Sequence, residues 1–103
     1  MTAKEIRISG RMLTVLKYLL SDLRSAHSGA EIYAATKISS GTLYPMLARL
    51  EEAGWLTSTW EDINPKEAGR PRRRYYVLTG VGQSNAQAAL ADLQFYGEPQ
   101  WQS

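Results

Sequence analysis

From Arg11 to Arg24 the apolar residues Met12, Leu13, Val15, Leu16, Leu19, Leu20 and Leu23 recur every three or four positions. That spacing gives a helix a broad apolar face, wide enough for burial on more than one side. Ser25 to Ser28 reads as a connector. Ser28 with Glu31 three residues on has the spacing of a capping box, which satisfies amides at a helix start. A short helix is therefore predicted from about Gly29 to Thr36, with Ala30, Ile32, Tyr33 and Ala34 partly buried. Lys37 and Ile38 form a turn, and Ser39 or Ser40 caps the next helix. That helix buries Leu43, Met46, Leu47 and Leu50 and stops at Gly54, a left-handed residue past its end. Pro45 is the awkward residue, since proline inside a helix removes a hydrogen bond. Either the helix starts near Thr42, with Pro45 in its first turn, or it bends there.

The period then changes. Trp55 to Glu61 is β-prone, residues 62–69 are rich in turn formers, and Arg72 to Leu78 forms a second strand. Alternation gives that strand two faces, Arg73, Tyr75, Val77 and Arg74, Tyr76, Leu78. Strand, polar loop and strand make a hairpin with a basic tip. Thr79 caps a last helix reaching about Tyr96, with Gly97 and Pro99 as stops and a thin apolar side. Two helices across a tight turn form a helix-turn-helix, whose second helix usually enters the DNA major groove. With the hairpin beside it, the fold expected is mainly α (α+β). It is a winged helix-turn-helix with a two-stranded β wing and a C-terminal dimerisation helix. One domain over residues 1–103 is expected, with a DNA-binding core at 10–79, the dimerisation helix at 80–97 and a tail at 98–103.

Charge sharpens this picture more than composition does. The chain has 103 residues, 44% of them hydrophobic, and a formal net charge of +2. The total is small, but residues 69–76 carry four arginines and no acid, the local concentration expected of a nucleic-acid contact. Cysteine is absent and His27 is the single histidine, which leaves no disulfide framework, thiolate metal site or Ser-His-Asp arrangement. His27 reads as a connector or cap residue, and the pair Glu51-Glu52 as a solvated helix face. No cofactor or metal is expected, nor an enzyme. The N-terminal region shows no secretory pattern and no apolar run approaches the roughly 20 residues of a membrane span, so the expectation is a cytoplasmic protein.

The run Gly41-Thr42-Leu43-Tyr44-Pro45, followed by Leu47, Arg49-Leu50-Glu51, Gly54-Trp55-Leu56, Gly69-Arg70-Pro71-Arg72 and Arg74-Tyr75-Tyr76-Val77-Leu78-Thr79, resembles the PadR-type transcriptional regulators. The likeness covers roughly residues 12–83. It implies a winged-helix regulator, typically a repressor, that dimerises through its terminal helices and in many members is relieved by small aromatic or cationic ligands. Leu13, Leu16 and Leu20 of the first helix and Ala86, Leu90, Leu93 and Tyr96 of the last are the candidate dimer contacts. Phe95, Tyr96 and Trp101 are candidates for a small aromatic effector. Gly80-Val81-Gly82 departs from the family's usual Glu-Ala-Gly pattern, and the short C-terminal region points to the short subfamily with one terminal helix.

The candidate DNA-binding residues fall in two groups. Lys37, Ser39, Ser40, Thr42, Tyr44 and Arg49 lie in the turn and on the second helix, where hydroxyls and backbone amides suit phosphate oxygens. Arg70, Arg72, Arg73 and Arg74 form the wing, where arginines displace counterions from DNA or enter a narrow minor groove. Alternation sends Arg73 and Arg74 to opposite faces, which favours Arg70 and Arg72 as contacts. The helix is poor in the usual readers of guanine and adenine. Specificity then leans on DNA shape and on two half-sites of a pseudo-palindromic operator, about 34 Å apart. The alternative from another class is a winged-helix protein–protein module that binds no DNA.

Overall fold

Ser28 starts a helix where the spacing predicts. Its hydroxyl accepts from the Glu31 amide at 3.1 Å, and the Glu31 carboxylate accepts from the Ser28 amide at 2.9 Å. Around this cap the computed structural model, which describes residues 6–95, has eight elements. They are α1 Gly10–Ser21, β1 His27–Ser28, α2 Gly29–Thr36, α3 Ser40–Glu52, β2 Leu56–Trp60, α4 Pro65–Ala68, β3 Arg74–Leu78 and α5 Gly80–Phe95. The fold is the expected mixed α+β winged helix, with differences in detail.

α1 ends at Ser21 rather than Arg24. The Asp22 carboxylate accepts from the Arg24 amide at 3.2 Å, a local bond that competes with continuing the helix. The Asp22 carbonyl accepts from His27 Nε2 at 2.9 Å, and Leu23 is left exposed. His27 is buried rather than a loose connector. Its Nδ1 lies 3.2 Å from the Tyr18 hydroxyl, ring edge to ring face. Because a carbonyl only accepts, Nε2 carries a proton, and Nδ1 is free to accept from Tyr18. Burial, with Glu31 and Asp22 nearby, raises the Tyr18 hydroxyl above its ordinary pKa and keeps it a donor.

His27 and Ser28 also form a strand, which sequence reading missed. The sheet has three strands in the order β1-β3-β2, both pairings antiparallel, with His27 opposite Tyr76 and Ser58 opposite Tyr76 on the other side. The wing is thus a two-stranded hairpin whose second strand is central, held on its far edge by the residues that cap α2. Residues 62–69 are not all turn. Asn64 caps the one-turn α4, Pro65 takes its first position and Gly69 ends it at φ +72°. β3 begins at Arg74, two residues later than predicted.

α3 begins at Ser40, so Pro45 lies in its second turn, where it has no amide to donate to the Gly41 carbonyl four residues back. Leu43, Met46, Leu47 and Leu50 are all buried, as the pattern predicts. Proline in a helix costs about 3 kcal/mol. Full burial of each of the four side chains is worth about 2 kcal/mol, so the packed face outweighs the break. α3 ends with the Gly54 amide on the Glu51 carbonyl and the Trp55 amide on the Leu50 carbonyl. That pair of bonds needs a left-handed residue, and Gly54 has φ +84°.

The core joins that face to Met12, Val15, Leu16 and Leu19 of α1, Ile32 of α2, Leu56, Tyr76 and Leu78 of the sheet, and Ala86 of α5. In α2 only Ile32 is buried among the side chains predicted to be so; Ala30, Tyr33 and Ala34 are exposed. α5 docks through Thr79, whose hydroxyl donates to the Gly54 carbonyl at 2.6 Å and accepts from the Gly82 amide at 3.0 Å. Gly82 sits against the Trp55 carbonyl, where a side chain would come within 2.9 Å of the carbonyl carbon. Leu16 and Ala86 are fully buried inside one protomer, so their side chains are not available to a second subunit. Leu16 lies on α1 and Ala86 on α5, and those two helices pack on each other. Leu13, Leu20 and Leu90 keep part of their surface. The side chains of Leu93 and Phe95, and the residues Tyr96 and Trp101, lie outside the described part of the structure.

Candidate nucleic-acid interface

The side of α3 opposite its buried face is an exposed stripe of Ser40, Gly41, Tyr44, Pro45, Ala48 and Arg49. Its first turn carries no side-chain cap. Ser39 is the cap residue, but its hydroxyl donates to Thr42 at 3.4 Å rather than accepting from an amide. Helix N-terminal amides without a side-chain acceptor are donors for phosphate oxygens. Lys37 stands just before, at φ 61°, in a left-handed conformation that ends α2.

Two concavities flank this tip. On one side a cleft of about 350 Å³ is lined by Tyr44 of α3, Ser28 and Gly29 at the start of α2, and Arg72, Arg73 and Arg74 of the wing. Tyr44 is 44% exposed, its ring against Gly29. A side chain at Gly29 would come within 2.6 Å of Tyr44 Cε1, so the glycine makes room for the ring. On the other side a cavity of about 490 Å³ brings Lys37, Ser39 and Thr42 together with Arg11 and Thr14 of α1. Arg11 was not singled out from sequence; a cation in the first turn of α1 carries no local mark of its distance from the helix-turn-helix. Ser40 and Arg49 belong to neither concavity but share the exposed stripe.

The four wing arginines differ in what holds them. Arg70, favoured from sequence, is turned back into the protein. Both its terminal nitrogens donate to Glu61, each at 2.7 Å. The Arg70 guanidinium lowers the Glu61 carboxyl to about 2, helped by the Arg73 amide, which also donates to Glu61. Arg74 also faces inward. Its Nε donates to Ser58 Oγ at 2.8 Å, its terminal nitrogen lies 3.6 Å from Glu51, and its guanidinium sits 4.9 Å above the centre of the Trp60 ring. Arg72 and Arg73 are exposed. Arg72 Nε donates to the Ile63 carbonyl at 3.0 Å, which steadies the arm while leaving its charge uncompensated by that bond.

The predicted alternation of Arg73 and Arg74 therefore holds, and the structure reverses the weight given to Arg70. It also corrects Glu51, which is part of the helix–wing contact rather than a solvated face. Burial raises Tyr76, opposite Ser58, above its ordinary pKa, with Arg74 opposing the shift. Among the described residues no helix is long and apolar enough to cross a membrane, and no group of three or more His, Cys, Asp or Glu is placed to hold a metal.

The profile of the transcriptional regulator PadR-like family matches residues 25–88, more than half of the chain. Among solved structures, the PadR-like transcription factor of Bacteroides fragilis is 28% identical, with TM-score 0.67 over 84% of this chain and 84% of that one. A PadR family transcription regulator of Clostridium difficile is 25% identical, with TM-score 0.66 over 87% and 95%. The S. aureus MepR–DNA complex shares the fold, at 18% identity and TM-score 0.68 over 92% of this chain and 71% of that one. The chain spans 58% and 62% of two further, longer neighbours. No curated protein matches the sequence.

Proposed function

Given that this chain belongs to the PadR-like family of transcriptional regulators, which are not enzymes, we propose that it binds double-stranded DNA in a sequence-specific manner and represses transcription. The observation that carries this reading is the cleft shared by Tyr44 and the wing. It sets an aromatic hydroxyl on the recognition helix beside the exposed cations Arg72 and Arg73. A groove backbone passing there meets donors from both elements at once. The second cavity, with Lys37, Ser39, Thr42 and Arg11, supplies donors to the phosphates flanking the other side of the helix tip. The DNA-bound MepR neighbour supports the same use of the fold.

In this reading residues 10–79 bind DNA and the first and last helices pair two copies, through Leu13 and Leu20 with Leu90, Leu93 and Tyr96, on a pseudo-palindromic operator in the cytoplasm. Relief by a small aromatic ligand belongs to the same reading. It is supported by the aromatic residues Phe95, Tyr96 and Trp101 near the end of the chain. Affinity for random duplex at increasing salt tests the core of the proposal. Binding with a steep negative salt slope is expected. Absence of binding at about 50 mM salt would leave the protein–protein module as the better account.

A further inference from the structure

The Glu51 carboxylate leaves the last turn of α3 and reaches the wing. Its Oε2 accepts from Ser58 Oγ of β2 at 2.7 Å and lies 3.6 Å from the Arg74 guanidinium of β3. Ser58 Oγ in turn accepts from Arg74 Nε at 2.8 Å, so one hydroxyl joins the helix to both wing strands. The same guanidinium lies over the ring of Trp60, directly across the hairpin from it. The base of the hairpin is fixed separately, by Leu56 and Leu78 in the core and by the Thr79 amide on the Trp55 carbonyl at 2.9 Å. Ser58 lies two residues further out and Arg74 four residues above Leu78. Arg72 and Arg73 lie beyond that point, so a tilt of the hairpin at Ser58 is enlarged at the arm that carries them.

We propose that Glu51 is a positioning residue that sets the angle between recognition helix and wing through Ser58 and Arg74, with Arg74 serving as a strut and not as a DNA contact. The proposal rests on the DNA-binding reading above for its functional consequence, and on the geometry alone for its mechanical one. The carboxylate is the piece that both strands share. The hydroxyl uses it as acceptor and the guanidinium as counter-charge, so its loss frees both strands from α3 while the Ser58–Arg74 bond stays within the hairpin. Trp60 cannot replace it, because Trp60 and Arg74 both belong to the wing and their contact ties neither strand to α3.

The test compares wild type, Glu51→Ala, Ser58→Ala and Arg72→Ala/Arg73→Ala, each checked for an unchanged melting transition of the core. In duplex binding, Glu51→Ala and Ser58→Ala each weaken affinity about tenfold, the scale of coupling within one hydrogen-bonded network. Combining them weakens it little further. In the Arg72→Ala/Arg73→Ala background the Glu51→Ala effect disappears, since the strut acts only through the arm. A full loss in that background, wild-type affinity in Glu51→Ala, or tighter binding because a released Arg74 takes a phosphate would each overturn the proposal. Hydrogen exchange of the β2 and β3 amides reads the mechanical half without DNA. It should quicken about tenfold in Glu51→Ala and in Ser58→Ala while α1 amides stay unchanged, and equal rates would refute it. Wild type that binds no duplex sinks the DNA-binding reading instead, and the exchange rates still decide whether Glu51 holds the wing.

Discussion

Removing Arg72 and Arg73 together should flatten the salt dependence of DNA binding, and removing Arg70 should not. Arg72 and Arg73 are exposed, whereas both terminal nitrogens of Arg70 are engaged by Glu61 at 2.7 Å. Each phosphate neutralised by a cation contributes about 0.9 to the slope of log affinity against log salt. Two arginines per protomer carry about 1.8, and two protomers on two half-sites about 3.6. Between about 50 and 200 mM salt, wild type should therefore lose roughly two orders of magnitude more affinity than Arg72→Ala/Arg73→Ala. Fluorescence anisotropy on a labelled duplex across that range, with thermal melts as a folding control, measures it. Arg70→Ala should loosen the wing and weaken binding while leaving the slope as it is. An unchanged slope in the double variant, or a fall in Arg70→Ala as large as in the double variant, would refute the assignment of the arm.

Acid should act on the wing before the core. Glu61 falls from its ordinary 4.5 to about 2 in the folded chain, so its contribution is complete above 4.5 and is lost as pH drops from there through 2. Wing amides followed by hydrogen exchange should show that loss, and Glu61→Gln should abolish the pH dependence in this window. Gly82→Ala drives a methyl into the Trp55 backbone and should cost about 1–3 kcal/mol in chemical denaturation, the range for overpacking; an unaffected midpoint would count against the close docking of α5 on Trp55. At micromolar concentration the protein should sediment as a dimer, and Leu20→Glu should shift it towards monomer without unfolding it. A wild type that stays monomeric at every concentration would remove dimerisation from the proposal.

What could be read from the chain was what short-range physics decides. The capping box at Ser28 and Glu31, the apolar face of α3 and the left-handed stop at Gly54 each depend on neighbours within four or five residues, and each appears as expected. The faces of β3 follow from alternation alone, with Tyr76 and Leu78 inward and Val77 outward. What escaped depends on partners far along the chain. Glu51 looks solvated beside Glu52 until Ser58 and Arg74 fold onto it, seven and more residues away. Arg70 looks like the best cation of a basic run until Glu61, nine positions earlier, is placed beside it. β1 has two residues, too few for any period. α4 uses Asn64, Pro65 and Gly69 as start and stop of a single turn of helix, and the same residues spell a loop equally well. Leu16 is buried within its own protomer although a broad apolar face does not say which side meets its own domain, and Ala86 of α5 is buried likewise, where α1 and α5 pack together.

Among the described residues Lys37 is the only non-glycine at positive φ. A side chain there costs about 1 kcal/mol that glycine would not. The bend between α2 and α3 thus keeps an ammonium group where backbone comfort asks for hydrogen. Selection of variants for heat resistance alone would be drawn to Lys37→Gly early, and should return a protein that melts later and holds its operator less firmly. Robustness and grip pull this corner of the molecule in opposite directions, and a Lys37→Gly protein improved in both would show that the charge has no part in the grip.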